Sequence, residues 1–317
     1  MIQDRNIANN AGIFPGKIAG TGCGEVFYVC KNTDSGDKVV YRWLRSRTKK
    51  SHLFTDIQDA LDKTVACRND YVIVYPSATD YDLTETLTMT KKCVHLICPA
   101  GLGSNGFPTN AARIDMTADD EAITVTGDCV EIAGFFFKGY LDASIIHLSG
   151  TRWHPIIHDN FFGMKASSSG SGNYGIKADG ACSHFSFYDN YFTNYSPAAM
   201  TGTDNAVAGF IGVTNASSTR GLIRNNLLHT GANTTVATGI ANAGYGMFIL
   251  DNYLWEDVAF GATQAGVFTL GISNSVDSFC ANNMIGIATA ANGVAGGTAN
   301  QSYTHNYEGT SGGTALQ

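Results

Sequence analysis

The chain has 317 residues, of which 44% are apolar and 15% charged, with 36 glycines, 6 prolines and a formal net charge of −7. The charged fraction is far below the usual ~25%. It excludes a coiled coil or a disordered polyelectrolyte, and the acidic balance excludes a chain-wide nucleic-acid surface. No apolar run reaches the ~18 residues of a membrane span, so no membrane partner is expected.

Residues 1–50 read as an N-terminal arm followed by a strand pair, Glu25–Val29 and Lys38–Trp43. The start, Met1-Ile2-Gln3-Asp4-Arg5-Asn6, lacks the basic and apolar regions of a secretory leader, so the expectation is a protein that begins in a cytoplasm. Residues 1–100 carry 13 Lys+Arg against 11 Asp+Glu, a net of +2; the remainder carries 7 against 16, a net of −9. The basic extreme is Arg42, Arg45, Arg47, Lys49 and Lys50. Such a run is either an anchor for an acidic protein surface or a solvated loop.

An amphipathic helix is expected over residues 53–66, with Leu53, Phe54, Ile57, Ala60, Leu61 and Val65 near one face and Thr55-Asp56-Ile57-Gln58 as a capping box. A buried strand, Tyr71–Tyr75, follows. Beyond it the helical period disappears and a repeat takes over. Ile156–Phe162, Phe187–Phe192, Ile223–Leu228, Ile249–Leu254, Cys280–Ile285 and Tyr303–Asn306 share one frame. In that frame an apolar residue is followed by a polar one, then Asp, Asn or His, then Asn. Val130–Phe137 fits without the Asn, and Val94–Pro99 more loosely.

Taking Leu96, Ile132, Ile157, Phe187, Ile223, Ile249, Cys280 and Tyr303 as equivalent gives spacings of 36, 25, 30, 36, 26, 31 and 23 residues. A variable period of short strands between Gly/Asn/Ser turns is the pattern of a solenoid. The expected fold is therefore all-β: a single right-handed parallel β-helix over residues 51–310, capped by the helix, with a flexible tail at 311–317. The marker residues would stack inside it. Phe137, Phe162, Phe192, Leu228, Leu254 and Ile285 would make a second stack. Asn160, Asn190, Asn226, Asn252, Asn283 and Asn306 would form an asparagine ladder, each amide bonding the next rung.

Candidate chemistry is sparse. The eight cysteines form no CxxC pair and no zinc-like Cys/His spacing, and they read as buried reduced thiols. No metal or cofactor is expected. His154 and His158 read as two residues of one extended strand, too far apart to share an ion. Asp119-Asp120-Glu121 reads as an exposed turn, and Ser167–Gly172 as a flexible insertion. Asp159 and Asp189 fall on successive rungs, where carboxyls ~5 Å apart would suit a retaining glycosidase; Arg152 and Arg224 would face the same side. The competing reading is that Asp serves the turn backbone, since Asn225, Asn282 and His305 share the column. Tyr174, Tyr188, Tyr191, Tyr195, Tyr245 and Tyr253 line a sugar-binding face or pack between rungs or subunits.

The stretch Leu53–Gly101, with its Phe54, Ile57, Gln58, Ala60, Leu61 helix and the segments Leu83–Met89 and Val94–Cys98, resembles the N-terminal cap and first coils of the pectin-lyase-like right-handed β-helix superfamily. With the repeats, the resemblance covers about 80% of the chain. Polygalacturonase-like members of that superfamily carry Gly-His-Gly and Arg-Ile-Lys motifs, which this chain lacks. Gly24–Val29 before the cap helix is similar to the opening strand of β-helix proteins in tailed-phage virions. That resemblance implies a structural virion protein, a homotrimeric capsid decoration or fibre contacting capsid or tail proteins. The alternative it implies is a tail-spike-like protein that binds or cleaves surface glycans, with Asp159, Asp189 and Arg224 as candidates.

Overall fold

In a computed structural model the described residues are 24–99, 111–117, 120–140, 143–165, 174–193, 206–230, 235–256, 270–271, 278–286, 294–295, 302–304, 306–308 and 314–316. The chain winds through three long sheets of eleven, ten and eight strands. One turn runs Glu131–Ala133, Phe135–Tyr140 and Ile146–Leu148; the next runs Ile156–His158, Phe161–Lys165 and Tyr174–Ala178. Each strand pairs in parallel with its equivalents one turn before and after. This is a parallel β-helix, as the repeat requires.

The register is the expected one. Leu96, Ile132, Ile157, Phe187, Ile223, Ile249, Cys280 and Tyr303 are successive partners in the first sheet. Phe137, Phe162, Phe192, Leu228, Leu254 and Ile285 are partners in the second. A third stack, Ile123, Ile146, Ile176, Ile211 and Ile240, closes the core. Period-2 alternation puts these residues inside the coil, where all but the undescribed Tyr303 and Ile285 side chains are buried. The Phe162 and Phe192 rings lie 4.5 Å apart and 4° from parallel.

Two corners of the coil are left-handed. At the first, Asp159, Asp189, Asn225, Asp251 and Asn282 have φ between 52° and 57°. The residue after each is a buried ladder asparagine. Asn160 Nδ2 donates to Asn190 Oδ1 at 3.2 Å, Asn190 to Asn226 at 3.1 Å, Asn226 to Asn252 at 2.9 Å and Asn252 to Asn283 at 2.9 Å. Asn306 opens the strand Asn306–Glu308, but its side chain lies outside the described residues. At the second corner, Cys93, Cys129, His154, His184 and Arg220 have φ between 53° and 56°, and Gly246 follows at 62°.

The N-terminal end departs from expectation. Lys38–Trp43 is not a strand but lies within an 11-residue helix, α1 (Ser35–Arg45). Val39-Val40-Tyr41 resembles a strand locally, but Asp34 caps the helix by accepting from the Asp37 N–H at 2.9 Å. Helical spacing lets Val40, Trp43 and Leu44 pack with Tyr28, Cys30 and Leu53. Buried Asp37 accepts from Ser77 Oγ at 2.7 Å, tying α1 to the first coil. Val26–Val29 instead pairs in parallel with Leu53–Phe54 and Asp70–Val74.

The cap helix is also shorter than residues 53–66. It is α2 (Ile57–Lys63), preceded by the strand Leu53–Phe54. Its N-cap is Asp56, not Thr55, and Gln58 bonds Asp62 and the Thr88 N–H rather than closing a capping box. Ile57, Ala60 and Leu61 are buried in the main core, closing the end of the coil. At the far end Thr314–Leu316 is a strand paired antiparallel with Asn306–Glu308, where a flexible tail was expected.

Candidate functional site

The candidate carboxylates sit at the first left-handed corner. Asp159 Oδ2 lies 2.7 Å from His158 Nδ1. Asp189 accepts from Asn225 Nδ2. Arg224 Nε faces Asp251 at 3.7 Å, not Asp159 or Asp189. Arg152 lies elsewhere, in the strand Arg152–Trp153, donating to the carbonyls of Ser149 and Thr126. Asp159 and Asp189 each follow a register partner, His158 and Tyr188, and so occupy the same position on adjacent rungs, each bonded to a different side chain. The Asp residues at this corner take its left-handed backbone, and their carboxylates meet neighbouring side chains.

A cluster absent from the sequence reading lies beside it, on the outer face of the first sheet. Glu131 Oε2 is 2.5 Å from His95 Nδ1, and Glu131 Oε1 is 2.8 Å from His158 Nε2. His95 Nε2 reaches Asn69 Oδ1 at 2.8 Å. Tyr71 stacks on His95 at 4.3 Å, and Tyr188 on His158 at 4.7 Å. The result is a continuous chain, Asn69–His95–Glu131–His158–Asp159, across consecutive turns.

Hydrogen bonds from His158 and His95 hold the Glu131 carboxyl down at about 2 against the cost of burial. Burial pulls His158 down, but its bonds to Asp159 and Glu131 win and lift it to about 9. A carboxylate this acidic, with both oxygens occupied, is a poor general base near neutral pH. The chain is a charge-assisted tie between rungs. From Asn69 to His158 its successive members are 26–36 positions apart in sequence, and Asp159 adjoins His158; the available signal was that His95 and Glu131 each precede a stack residue, Leu96 and Ile132.

A second charged cluster lies on the outer face of the second sheet. One carboxylate oxygen from each of Asp80, Asp82 and Asp115 falls within 4.8 Å of the others. Asp82 and Asp115 are register partners, as are Asp115 and Lys138. Lys138 Nζ bridges Asp80 and Asp115, at 2.9 Å from the latter, and Arg113 Nε lies 2.5 Å from Asp80. Lys138 thus supplies positive charge to Asp80 and Asp115, and Arg113 to Asp80.

Arg42, Arg45, Arg47, Lys49 and Lys50 are all exposed, on the last turn of α1 and the segment after it. Arg42 and Arg45 complement the helix dipole. The Arg47 guanidinium lies over the Trp43 ring at 4.7 Å. Among the described residues no carboxylate pairs with Arg42, Arg45, Lys49 or Lys50.

Of the tyrosines, Tyr188 and Tyr191 stack between rungs, Tyr191 on Phe161 at 4.8 Å. Tyr245 and Tyr253 are exposed, and Tyr195 lies outside the described residues. His154 and His158 do not share a strand: His154 is at the second corner, stacked on His184 at 5.0 Å. Asp119 and residues 167–172 are outside the described residues; Asp120 Oδ1 accepts from the Glu121 N–H. Cys30, Cys98, Cys182 and Cys280 are buried, whereas Cys67 is exposed and Cys93 and Cys129 are half-buried. No helix among the described residues is long and apolar enough to cross a membrane. Neither protein-family models nor curated proteins match this sequence.

Proposed function

We propose that this chain is a structural component of a tailed-phage virion, a β-helical capsid decoration or fibre held to the particle by its N-terminal end. The observation that carries this reading is the exposed group Arg42, Arg45, Arg47, Lys49 and Lys50, beside the capped end of the rod, which at four of its five positions meets no carboxylate among the described residues. An acidic particle surface complements it. The turn-bound carboxylates support a structural role, because Asp159 and Asp189 are engaged in holding corners. In this reading the rod assembles with copies of itself as a homotrimer, and residues 1–19, which lie outside the described residues, contribute to the anchor.

The test is particle binding. Replacing the five basic residues by Gln is expected to reduce co-sedimentation with particles at least tenfold, with a weaker defect at high salt, while circular dichroism stays unchanged. Deleting residues 1–19 is expected to abolish binding. Wild-type retention by both variants overturns the anchor, and absence of the protein from purified particles overturns the virion assignment.

A second reading, a glycan-binding or glycan-cleaving rod, is favoured by Asp80, Asp82 and Asp115 beside Arg113 and Lys138. Loss of oligosaccharide release in Asp82→Asn and Asp115→Asn, with unchanged melting, would establish it.

A further inference from the structure

Three cysteines separated by 26 and 36 residues in the chain meet at the second left-handed corner. Cys93 and Cys129 hold the same position in consecutive turns, each three residues before the first-sheet stack residue Leu96 or Ile132. The Cys93 N–H donates to the carbonyl of Asp128, the residue before Cys129, at 2.8 Å. The Cys67 N–H repeats the pattern below, donating to Lys92, the residue before Cys93, at 2.9 Å. A rung spacing of about 4.8 Å puts neighbours within the ~4.4–6.8 Å Cα separation of a disulfide, and puts the two ends of the column, about 9.6 Å apart, beyond it.

The thiol of Cys93 is within hydrogen-bonding reach of both the others, and burial followed by these two thiols raises its pKa. Access is graded: Cys67 is exposed, while Cys93 and Cys129 are half-buried. The remaining described cysteines are buried, and burial pushes Cys30 and Cys182 up to about 12.

We propose that Cys67, Cys93 and Cys129 form a thiol–disulfide relay with Cys93 as its pivot, oxidised by a small-molecule disulfide such as oxidised glutathione. In the first step the Cys67 thiolate attacks one sulfur of the oxidant. A mixed disulfide forms and one glutathione thiolate leaves. The Cys93 thiolate then attacks the Cys67 sulfur and displaces the second glutathione. Two protein thiols are thereby oxidised, one oxidant disulfide is reduced, and the two protons pass to the glutathione thiolates. Attack of the Cys129 thiolate on the Cys93 sulfur moves the bond up one rung and frees Cys67, with no net redox change. Either bond covalently closes two adjacent turns at the capped end of the rod. The inference does not depend on the virion assignment.

The test uses the full chain, reduced and then equilibrated across glutathione redox buffers, quenched in acid, alkylated and mapped by peptide mass. One protein disulfide is expected, always containing Cys93, with the third thiol of the column still alkylated. Cys67→Ser is expected to give only Cys93–Cys129. Cys93→Asn, whose side chain tolerates the left-handed corner, is expected to stop at glutathione on Cys67. The double variant Cys67→Ser/Cys129→Ser, which keeps Cys93 in place, is expected to form no protein disulfide. Oxidation is expected to raise the apparent Tm by about 5 °C. The relay is overturned if no protein disulfide forms at the most oxidising ratio. It is equally overturned if Cys67 bonds Cys129 in folded Cys93→Asn, or if Cys93 pairs with a cysteine outside the column.

Discussion

The two left-handed corners of the coil have the same backbone and opposite chemistry. At one, every described turn from Asp159 onward carries Asp or Asn at the positive-φ position, followed by a buried Asn. At the other, the positive-φ position is filled in turn by Cys, Cys, His, His, Arg and Gly. Backbone conformation therefore does not select the residue. What differs is the chemistry of the next side chain, which is buried at both corners. Ladder asparagines are buried, and each must satisfy its amide through the carbonyl below and the asparagine above, so one residue type recurs. At the second corner the next residue is buried but apolar, as Val94, Val130, Phe185 and Met247 are, so no amide has to be satisfied there.

This contrast sets the expected size of each perturbation. The largest falls on the ladder. Asn226→Ala removes the bonds to Phe187 O and Asn252 Oδ1 and leaves the buried Asn190 amide without its acceptor. Losing several buried bonds at once is expected to cost about 4 kcal/mol in urea unfolding; a cost below ~1 kcal/mol would mean that the ladder is ornamental.

Gly134 takes the Asp position at the first corner one turn before Asp159, with φ of 83°. A Cβ there would lie 2.2 Å from the Cys98 carbonyl oxygen, so Gly134→Ala is expected to cost about 3 kcal/mol. Gly246, at the second corner, has nothing within 3.8 Å of its Cβ position, the nearest atom being at 3.9 Å. Gly246→Ala should then cost only the left-handed penalty, about 1 kcal/mol. Equal costs at the two glycines would erase the distinction between the corners.

The outer tie responds to pH in both directions. His158 is raised from 6.5 to about 9, so its contribution is complete below pH 6.5 and is lost as pH rises through 9. Glu131 is lowered from 4.5 to about 2, so its contribution is complete above pH 4.5 and is lost as pH falls through 2. As one coupled unit they are expected to contribute about 2–3 kcal/mol between these limits. Glu131→Gln should flatten the alkaline fall in stability. The smallest effect belongs to Asp189→Asn. It keeps a residue that tolerates the left-handed corner, and unfolding should shift by no more than about 0.5 kcal/mol.

Much of the architecture was legible because each rung repeats its own local rule. Alternation marked Ile157 and Phe162 as inward, and the Asn before Phe161 marked the corner, so the stacks and the ladder follow from aligning the segments. The helix α1 was not legible, because Val39-Val40-Tyr41 favours a strand and the deciding contacts, Asp37 with Ser77 and Leu44 with Leu53, come from elsewhere in the chain. The His95–Glu131–His158 tie and the cysteine column escaped for another reason. Motif spacings describe residues on one local element, whereas a solenoid brings together residues one full turn apart.

Sequence alone thus determined the coil, its inward stacks, the register that aligns Leu96 through Tyr303, and the asparagine corner, since burial and left-handed turns impose strict local patterns. Only the tertiary structure decided which surface groups became neighbours. Turn lengths vary from 23 to 36 residues, and the outer face carries no packing constraint that would leave a period in the sequence. Whether Asp159 meets Asp189 or His158, and whether Cys93 meets Cys67 and Cys129, is settled by stacking across turns.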